Sequence, residues 1–190
     1  MEDILLIGGG GHCKSVIDVI ESQGKFKIAG IIEKYVEESK EVLGYPLIGT
    51  DDDLEELRKK YNYAIITVGH IKSNAIRLKL YKKLKELDFI LPIIISPLAY
   101  ISKHSSVGEG SVVMHHALIN ANAKVGVNCI INSKALIEHD ATAENHVHIS
   151  TNATINGGVL VKEHSFVGSG VVTKEYIELS GFIKAGTLVK

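Results

Sequence analysis

From about Ala99 onward the apolar positions recur every six residues. Positions 101, 107, 113, 119, 125, 131, 137, 143, 149, 155, 161 and 167 hold Ile, Val, Val, Ile, Val, Ile, Ile, Ala, Ile, Ile, Val and Val. Two residues before each stands a compact side chain, among them Ala99, Ser105, Ala117, Ala123, Cys129, Ala135, Ala141 and Ala153. The frame runs through these twelve hexads without insertion and continues loosely to Lys190. A helix repeats every 3.6 residues and a strand every two, so neither produces this register. A hexapeptide repeat predicts a parallel β-helix, in which one aliphatic per hexad points inward and three hexads close a triangular coil of 18 residues. Residues 99–188 span fifteen hexads and so predict five coils. The usual crossover rule favours the opposite hand and does not by itself give the hand of this helix.

The first half has a different rhythm. Ile4-Leu5-Leu6-Ile7 is a short apolar run ending in four glycines, Gly8 to Gly11. Val16, Ile17, Val19 and Ile20 then fall on one helical stripe, and Gly24 stands where that helix stops. Strands are predicted over Ile28–Ile32, Leu47–Gly49 and Ala64–Val68. Helices are predicted over Asp51–Lys60, opened by acidic residues, and Asn74–Glu86, with Asn74 as N-cap. Alternating strands and helices imply a parallel sheet flanked by helices. Pro92 and Pro97 bracket Ile93–Ser96, the passage between the two patterns. The boundary is therefore placed near residue 95, giving an α/β Rossmann-like domain over 1–95 and a β-helix over 96–190.

Composition narrows the function. Hydrophobic residues make up 45% of the 190-residue chain, enough for a sizeable core, and the formal net charge is -1. That balance argues against a nucleic-acid or membrane-surface binder. Cys13 and Cys129 lie far apart, the start Met1-Glu2-Asp3 lacks the basic segment of a signal peptide, and no apolar run reaches a membrane span. A cytoplasmic protein with reduced thiols and no membrane insertion is expected.

Strand, glycines and helix together make an anion or nucleotide site, because glycines admit close backbone approach and a helix start offers unpaired N–H groups. The dinucleotide fingerprint is incomplete: counted from Gly8 its third glycine is Cys13, and from Gly9 it is Lys14. A nucleotide-sugar diphosphate suits the loop better than NAD or FAD; a tight turn without ligand is the plain alternative. Glu33 closes the second strand, where an acid often meets a ribose, or stands as an ordinary surface carboxylate.

Nine histidines are present, five of them between His115 and His148. In the hexad frame His139 follows the inward Ile137 by two and falls on an exposed corner. His148 precedes the inward Ile149 and faces outward. A histidine beside an acid suits general-base work, and Asp140 has to reach His139 around the corner. A three-histidine zinc site is the competing reading, but no second tight ligand set accompanies it, and no metal is expected. His115, His116, His146 and His164 read as surface corner residues. No Gly-x-Ser-x-Gly stands in the chain, which argues against a covalent acyl-enzyme.

Several segments carry a resemblance. Gly8-Gly9-Gly10-Gly11-His12, Val68-Gly69 with Asn74-Ala75-Ile76-Arg77, Ile137-Glu138-His139-Asp140, His146-Val147-His148-Ile149 and Ile155-Asn156-Gly157-Gly158-Val159 resemble the sugar acetyltransferases of the NeuD/PglD type, over nearly the whole chain. The two matched histidines, nine positions apart, are the specific feature. The resemblance implies a left-handed β-helix, with His139 as general base and Asp140 raising its basicity. It implies His148 and Gly157 at acetyl-CoA, and Gly10, Gly11, His12, Glu33 and Gly69 at the sugar nucleotide. It also implies a homotrimer with acetyl-CoA between adjacent β-helices. Outward apolar residues such as Val112, Ile130, Leu136 and Leu160 are expected to mark the faces that meet in that trimer. The chain departs from the family pattern at Ala141-Thr142-Ala143-Glu144, where a less regular coil is expected, and at Ser150-Thr151-Asn152. It ends at Lys190 without the family's Pro-Ala-Lys-type tail, so no contact is carried over from that tail. The function expected is acetyl-CoA-dependent N-acetylation of a UDP-linked 4-amino-4,6-dideoxy sugar in bacterial glycan biosynthesis. O-acetylation of a sialic-acid-like sugar is the alternative, and a non-catalytic nucleotide-sugar-binding protein is the alternative of another class.

Overall fold

The computed structural model describes residues 1–34 and 41–190. The chain forms two compact units, one of residues Met1–Gly69 and Ala75–Pro92, the other of His70–Asn74 and Ile93–Lys190.

In the first unit the strands are β1 (Glu2–Ile7), β2 (Phe26–Ile32), β3 (Glu41–Val42), β4 (Tyr45–Gly49) and β5 (Tyr63–Ile66), ordered β3-β4-β2-β1-β5. The helices are α1 (Gly11–Gln23), α2 (Leu54–Arg58) and α3 (Ala75–Glu86). Four strands run parallel; β3 is an antiparallel edge that pairs Val42 with Tyr45. The parallel-sheet expectation missed β3, because a two-residue strand has no visible period. It forms because Leu43 and Gly44 both take positive φ, 51° and 84°, the conformation of a tight two-residue hairpin. Gly24 ends α1 in the left-handed region (φ 64°) and its N–H caps Ile20 O at 3.0 Å. The expected Asp51–Lys60 helix is split into a 3-10 turn over Asp51–Asp53 and the short α2. Leu5 and Ile7 of β1 pack with Ile32, Leu54, Leu80 and Leu84 into one apolar cluster.

The second unit is a β-helix. Its rungs are two-residue strands running from β6 (Ile94–Ile95) through β22 (Leu188–Val189), arranged as three parallel sheets of six, five and six strands. This is the parallel β-helix anticipated from the hexads, with the left hand that the resemblance implied, beginning one strand before the Ala99 count. Both inward positions are filled as the repeat requires: Ile119, Val125, Ile131, Ile137, Ile149 and Ile155 meet Ala117, Ala123, Cys129, Ala135 and Ala153 in one continuous core. From Gly110 onward each corner turns through a left-handed residue, and non-glycine side chains hold many of these positions: His116, Asn122, Asn128, Lys134, Asp140, His146, Asn152, His164 and Tyr176 have φ between 54° and 64°.

Two expectations about the coils change. The coil at Ala141–Glu144 is regular: Thr142 and Ala143 pair with Lys124 and Val125 below and with Leu160 and Val161 above. Ala141 and Ala143 are small enough for both inward positions, at 0% and 2% exposure. The frame instead breaks later. Phe166 pairs with Phe182 and Val172 with Leu188, sixteen residues apart, because the corner after Glu178–Leu179 is two residues shorter and turns at Gly181 (φ 74°).

The inward aliphatics carry the stability of this unit. Ile131→Ala, at a site with no exposure, is expected to cost about 2–5 kcal/mol, as large-to-small core changes do. The measurement is the urea midpoint, with exposed Lys124→Ala expected to leave it unchanged.

Candidate active site

In the first unit β1 runs into the glycine loop. Gly8 has φ 108°, and a Cβ there would lie 2.4 Å from Val68 Cγ2, so only glycine lets the loop close on the end of β5. The Thr67 hydroxyl donates to Gly8 O, and the Gly9 N–H donates to Glu33 Oε1. Around Gly10 and Gly11 there is open space, with nothing within 4 Å of an added Cβ. Helix α1 begins there with no side-chain cap and no acid in its first turn. Its N-terminal N–H groups thus face a cavity of about 520 Å³.

Gly10, Gly11, His12, Glu33 and Gly69 all line this one cavity. Lys34, Asp51, Ile76 and Lys79 line it too, and sequence reading missed them, because surface lysines and a first-turn acid carry no signal of their own. Arg77, 1% exposed, donates to Ile66 O (2.7 Å) and Val68 O (3.0 Å) and so holds the strand end that carries Gly69. Glu33 does two things at once: it walls the cavity and accepts a loop N–H. Cys13 is buried beside the loop, and burial pushes its thiol up to about 11. It stays protonated at neutral pH and is no nucleophile.

In the second unit His139 and Asp140 form the corner after β13 (Leu136–Ile137). Adjacent side chains on a strand diverge, but Asp140 is left-handed (φ 61°) and its carboxylate swings back to the imidazole. His139 Nδ1 lies 2.8 Å from Asp140 Oδ2. With Nδ1–H donating, Nε2 keeps its lone pair. The Asp140 hydrogen bond raises the His139 pKa above its ordinary 6.5, with Asp140 and Glu138 adding charge. The Asp140 carboxyl is held below its usual range, first by Asn122 and then by His139. Gly157 sits against the ring, where an added Cβ would be 2.8 Å from His139 Nε2 and Cε1. Asp140 and Gly157 are thus brought to His139; His148 is not.

His148 stands in β15 (His148–Ile149), on a different sheet from β13. It faces outward from its coil as expected, but it is only 7% exposed. The segment His70–Asn74 lies over it: His148 Nδ1 is 2.7 Å from His70 O, and its ring meets the rings of His70 (5.3 Å) and Phe166 (5.1 Å) edge-on. His148 thus faces outward from its own coil and is still walled within one chain by His70 and Phe166. Val112 and Ile130, expected as free outward surface, are corrected, since both are fully buried in one chain. His146 and His164 form a stacked pair at 5.2 Å, with Nδ1 atoms 3.0 Å from Asn128 Nδ2 and 2.8 Å from Asn74 Nδ2 respectively. Among the described residues no group of three or more His, Cys, Asp or Glu is arranged to hold a metal ion. Among them too, no helix is long and apolar enough to cross a membrane.

Comparison with known proteins draws these features together. Residues 3–84 match the PglD N-terminal domain. Perosamine N-acetyltransferase from Caulobacter crescentus, solved as a histidine-to-asparagine mutant in complex with CoA and GDP-perosamine, superposes with a TM-score of 0.92 at 30% identity. The match covers 100% of this chain and 89% of that one. The chain belongs to the PglD-type family of sugar N-acetyltransferases. Another neighbour is the acetyltransferase domain of PglB from Neisseria gonorrhoeae (TM-score 0.89, 28% identity, covering 100% of this chain and 92% of that one), also solved with acetyl coenzyme A. Among curated proteins, UDP-N-acetylbacillosamine N-acetyltransferase of Bacillus subtilis is 32% identical over 119 residues. An uncharacterized mimivirus protein is 32% identical over 123. Those matches span 60% and 65% of this chain, but only 52% of the Bacillus protein and 23% of the viral one.

The thiols test the loop's packing. Cys13 and Cys129 are both buried, so an aromatic disulfide reagent at pH 8 is expected to leave both unmodified until denaturant is added. The folded Cys13 pKa of about 11 lies above the ordinary 9.0. Its contribution to stability is therefore complete below pH 9 and is lost as pH rises towards 11; thermal melts across that range check the sign.

Proposed function

We propose that the protein transfers the acetyl group of acetyl-CoA to the amino group of a nucleotide-linked sugar in glycan biosynthesis. The observation that carries the reading is the His139–Asp140 pair with its free-lone-pair Nε2, on the fold shared with proteins solved with CoA and GDP-perosamine. The expected acceptor is a UDP-linked 4-amino-4,6-dideoxy sugar. The Bacillus relative is named for a UDP sugar and the Caulobacter one was solved with a GDP sugar, so the nucleotide is the first thing to vary in an assay.

The sugar diphosphate lies against the α1 N-terminus in the glycine-loop cavity, with Gly10, Gly11, His12, Glu33 and Gly69 around it. The acceptor amine attacks the thioester carbonyl carbon and a tetrahedral intermediate forms. His139 Nε2 takes the amine proton, and the new imidazolium is stabilised by Asp140. Collapse expels the CoA thiolate, which the imidazolium protonates. We assign support of the oxyanion to a backbone N–H near Gly157, the residue that sits against the ring. Acetyl-CoA is bound by Gly157 and His148. The two stand apart on one chain, Gly157 at the corner after Thr154–Ile155 and His148 in a strand of another sheet, which supports a site completed by a second copy. Tyr100, Val172 and Leu188 support the same reading: they are 59%, 38% and 61% exposed on the outer face of the sheet that contains β13. A homotrimer closes three such clefts by symmetry. We place it in the cytoplasm, where both thiols stay reduced.

His139→Ala is expected to lower kcat about 10²–10⁴-fold, the usual weight of a general base. Acetylation by that variant at near-normal turnover would end the assignment. In the intact protein kcat/KM is expected to rise with pH through the raised His139 pKa, because Nε2 must be unprotonated. Asp140→Asn removes the cause of that shift and should move the acid limb down towards the ordinary 6.5. A panel of UDP-, GDP- and CMP-linked sugars, scored by CoA release, identifies the acceptor; silence across it removes the transferase reading. For the assembly, sedimentation of a fully active monomer would contradict the shared site.

A further inference from the structure

The corner that carries His139 is one rung of a ladder. One coil below Asp140, eighteen residues earlier, stands Asn122, and the two corners have the same left-handed backbone, φ 60° and 61°. Their backbones are pinned by the stack: Asn122 N–H donates to His104 O (3.1 Å), Asp140 N–H to Ala121 O (3.2 Å) and Gly158 N–H to His139 O (3.0 Å). The side chains therefore meet in fixed register, and Asn122 Nδ2 donates to Asp140 Oδ1 at 2.7 Å.

We propose that Asn122 is a positioning residue of the base: its amide, presented from the coil below, holds one Asp140 oxygen so that the other faces His139 Nδ1. The inference rests on the reading of His139 as general base. Asp140 alone would not keep this orientation. Its side chain is 49% exposed, and a carboxylate on an exposed corner is free to rotate into water. Among the described residues nothing else takes the task. Glu138, the other acid beside His139, is itself held by Asn120 (2.7 Å) and accepts the His139 backbone N–H (3.1 Å). The charges acting on His139 are those of Asp140 and Glu138. His104 lies two coils below the corner, under Asn122, and Tyr176, whose ring covers Gly158, two coils above. A neutral amide suits the position, since it orients the carboxylate without adding a charge that competes for it. Asparagine also accepts the left-handed backbone more readily than most residues. The Asn122 bond is in addition the main cause of the lowered Asp140 pKa.

Asn122→Gly is the test, because glycine takes φ 60° without strain and the corner keeps its shape. Titration of the His139 ring protons by NMR in the full-length protein without substrates is expected to show a pKa below that of the unaltered chain. With substrates, kcat should fall about 3- to 10-fold, the weight of one hydrogen bond, with both KM values unchanged. The acid limb should move to lower pH. In an Asp140→Asn background the same substitution should add nothing, because Asn122 acts only through the carboxylate. An unchanged His139 titration, or additive losses in the double variant, overturns the inference. Absence of transferase activity from the unaltered protein would instead count against the reading of His139 as base, and the ring titration would still decide whether Asn122 sets the state of the pair.

Discussion

From Gly110 onward the β-helix turns every corner through a residue of positive φ, a conformation that L side chains adopt at a cost and that asparagine, aspartate and glycine adopt most readily. The β-helix depends on that constraint. Its two-residue strands are too short to persist alone, and its inward aliphatics are too few per coil to be buried without coils above and below. The repeated corner keeps the coils in register, so that Ile119 stacks under Ile137 and Ile137 under Ile155. Corner side chains fall into columns for the same reason.

The candidate base is a product of that column. His139 and Asp140 are sequence neighbours, and in a strand they would point to opposite faces. At a left-handed corner they converge to 2.8 Å. Gly157 above leaves the imidazole room, and the amide below takes the second carboxylate oxygen. Backbone geometry here replaces the separate supporting element found in other folds: orientation of the base comes from the stacking that also stabilises the coil.

The glycine loop follows a different logic. Its shape comes from the close approach of Gly8 to Val68 and from a buried arginine that ties down the opposing strand end. Helix α1 starts against open space, without side-chain capping or acidic compensation. Such an end has N–H groups and positive potential to offer an anion, which fits a diphosphate-bearing acceptor.

Much of this was legible in the chain. The six-residue period specified the β-helix, because only a residue pair repeated in every rung can fill a triangular core. The run of glycines between an apolar strand and a helical stripe specified a cavity at the helix start. The adjacency of His139 and Asp140 at an outward corner named the pair, though not its contact, which needs the sign of φ at Asp140. Other features depended on long-range packing and left no local pattern. The antiparallel edge of β3 is two residues long, and the corner shortened at Gly181 looks in sequence like a loose hexad. The burial of His148 depends on residues 70–74, more than seventy positions away, and a period cannot report a segment that lies across it. The same holds for Lys34, Asp51 and Lys79 around the cavity and for the amide of Asn122 beneath Asp140. Periodicity determines which way a side chain points from its own strand; only the folded chain decides what it meets there.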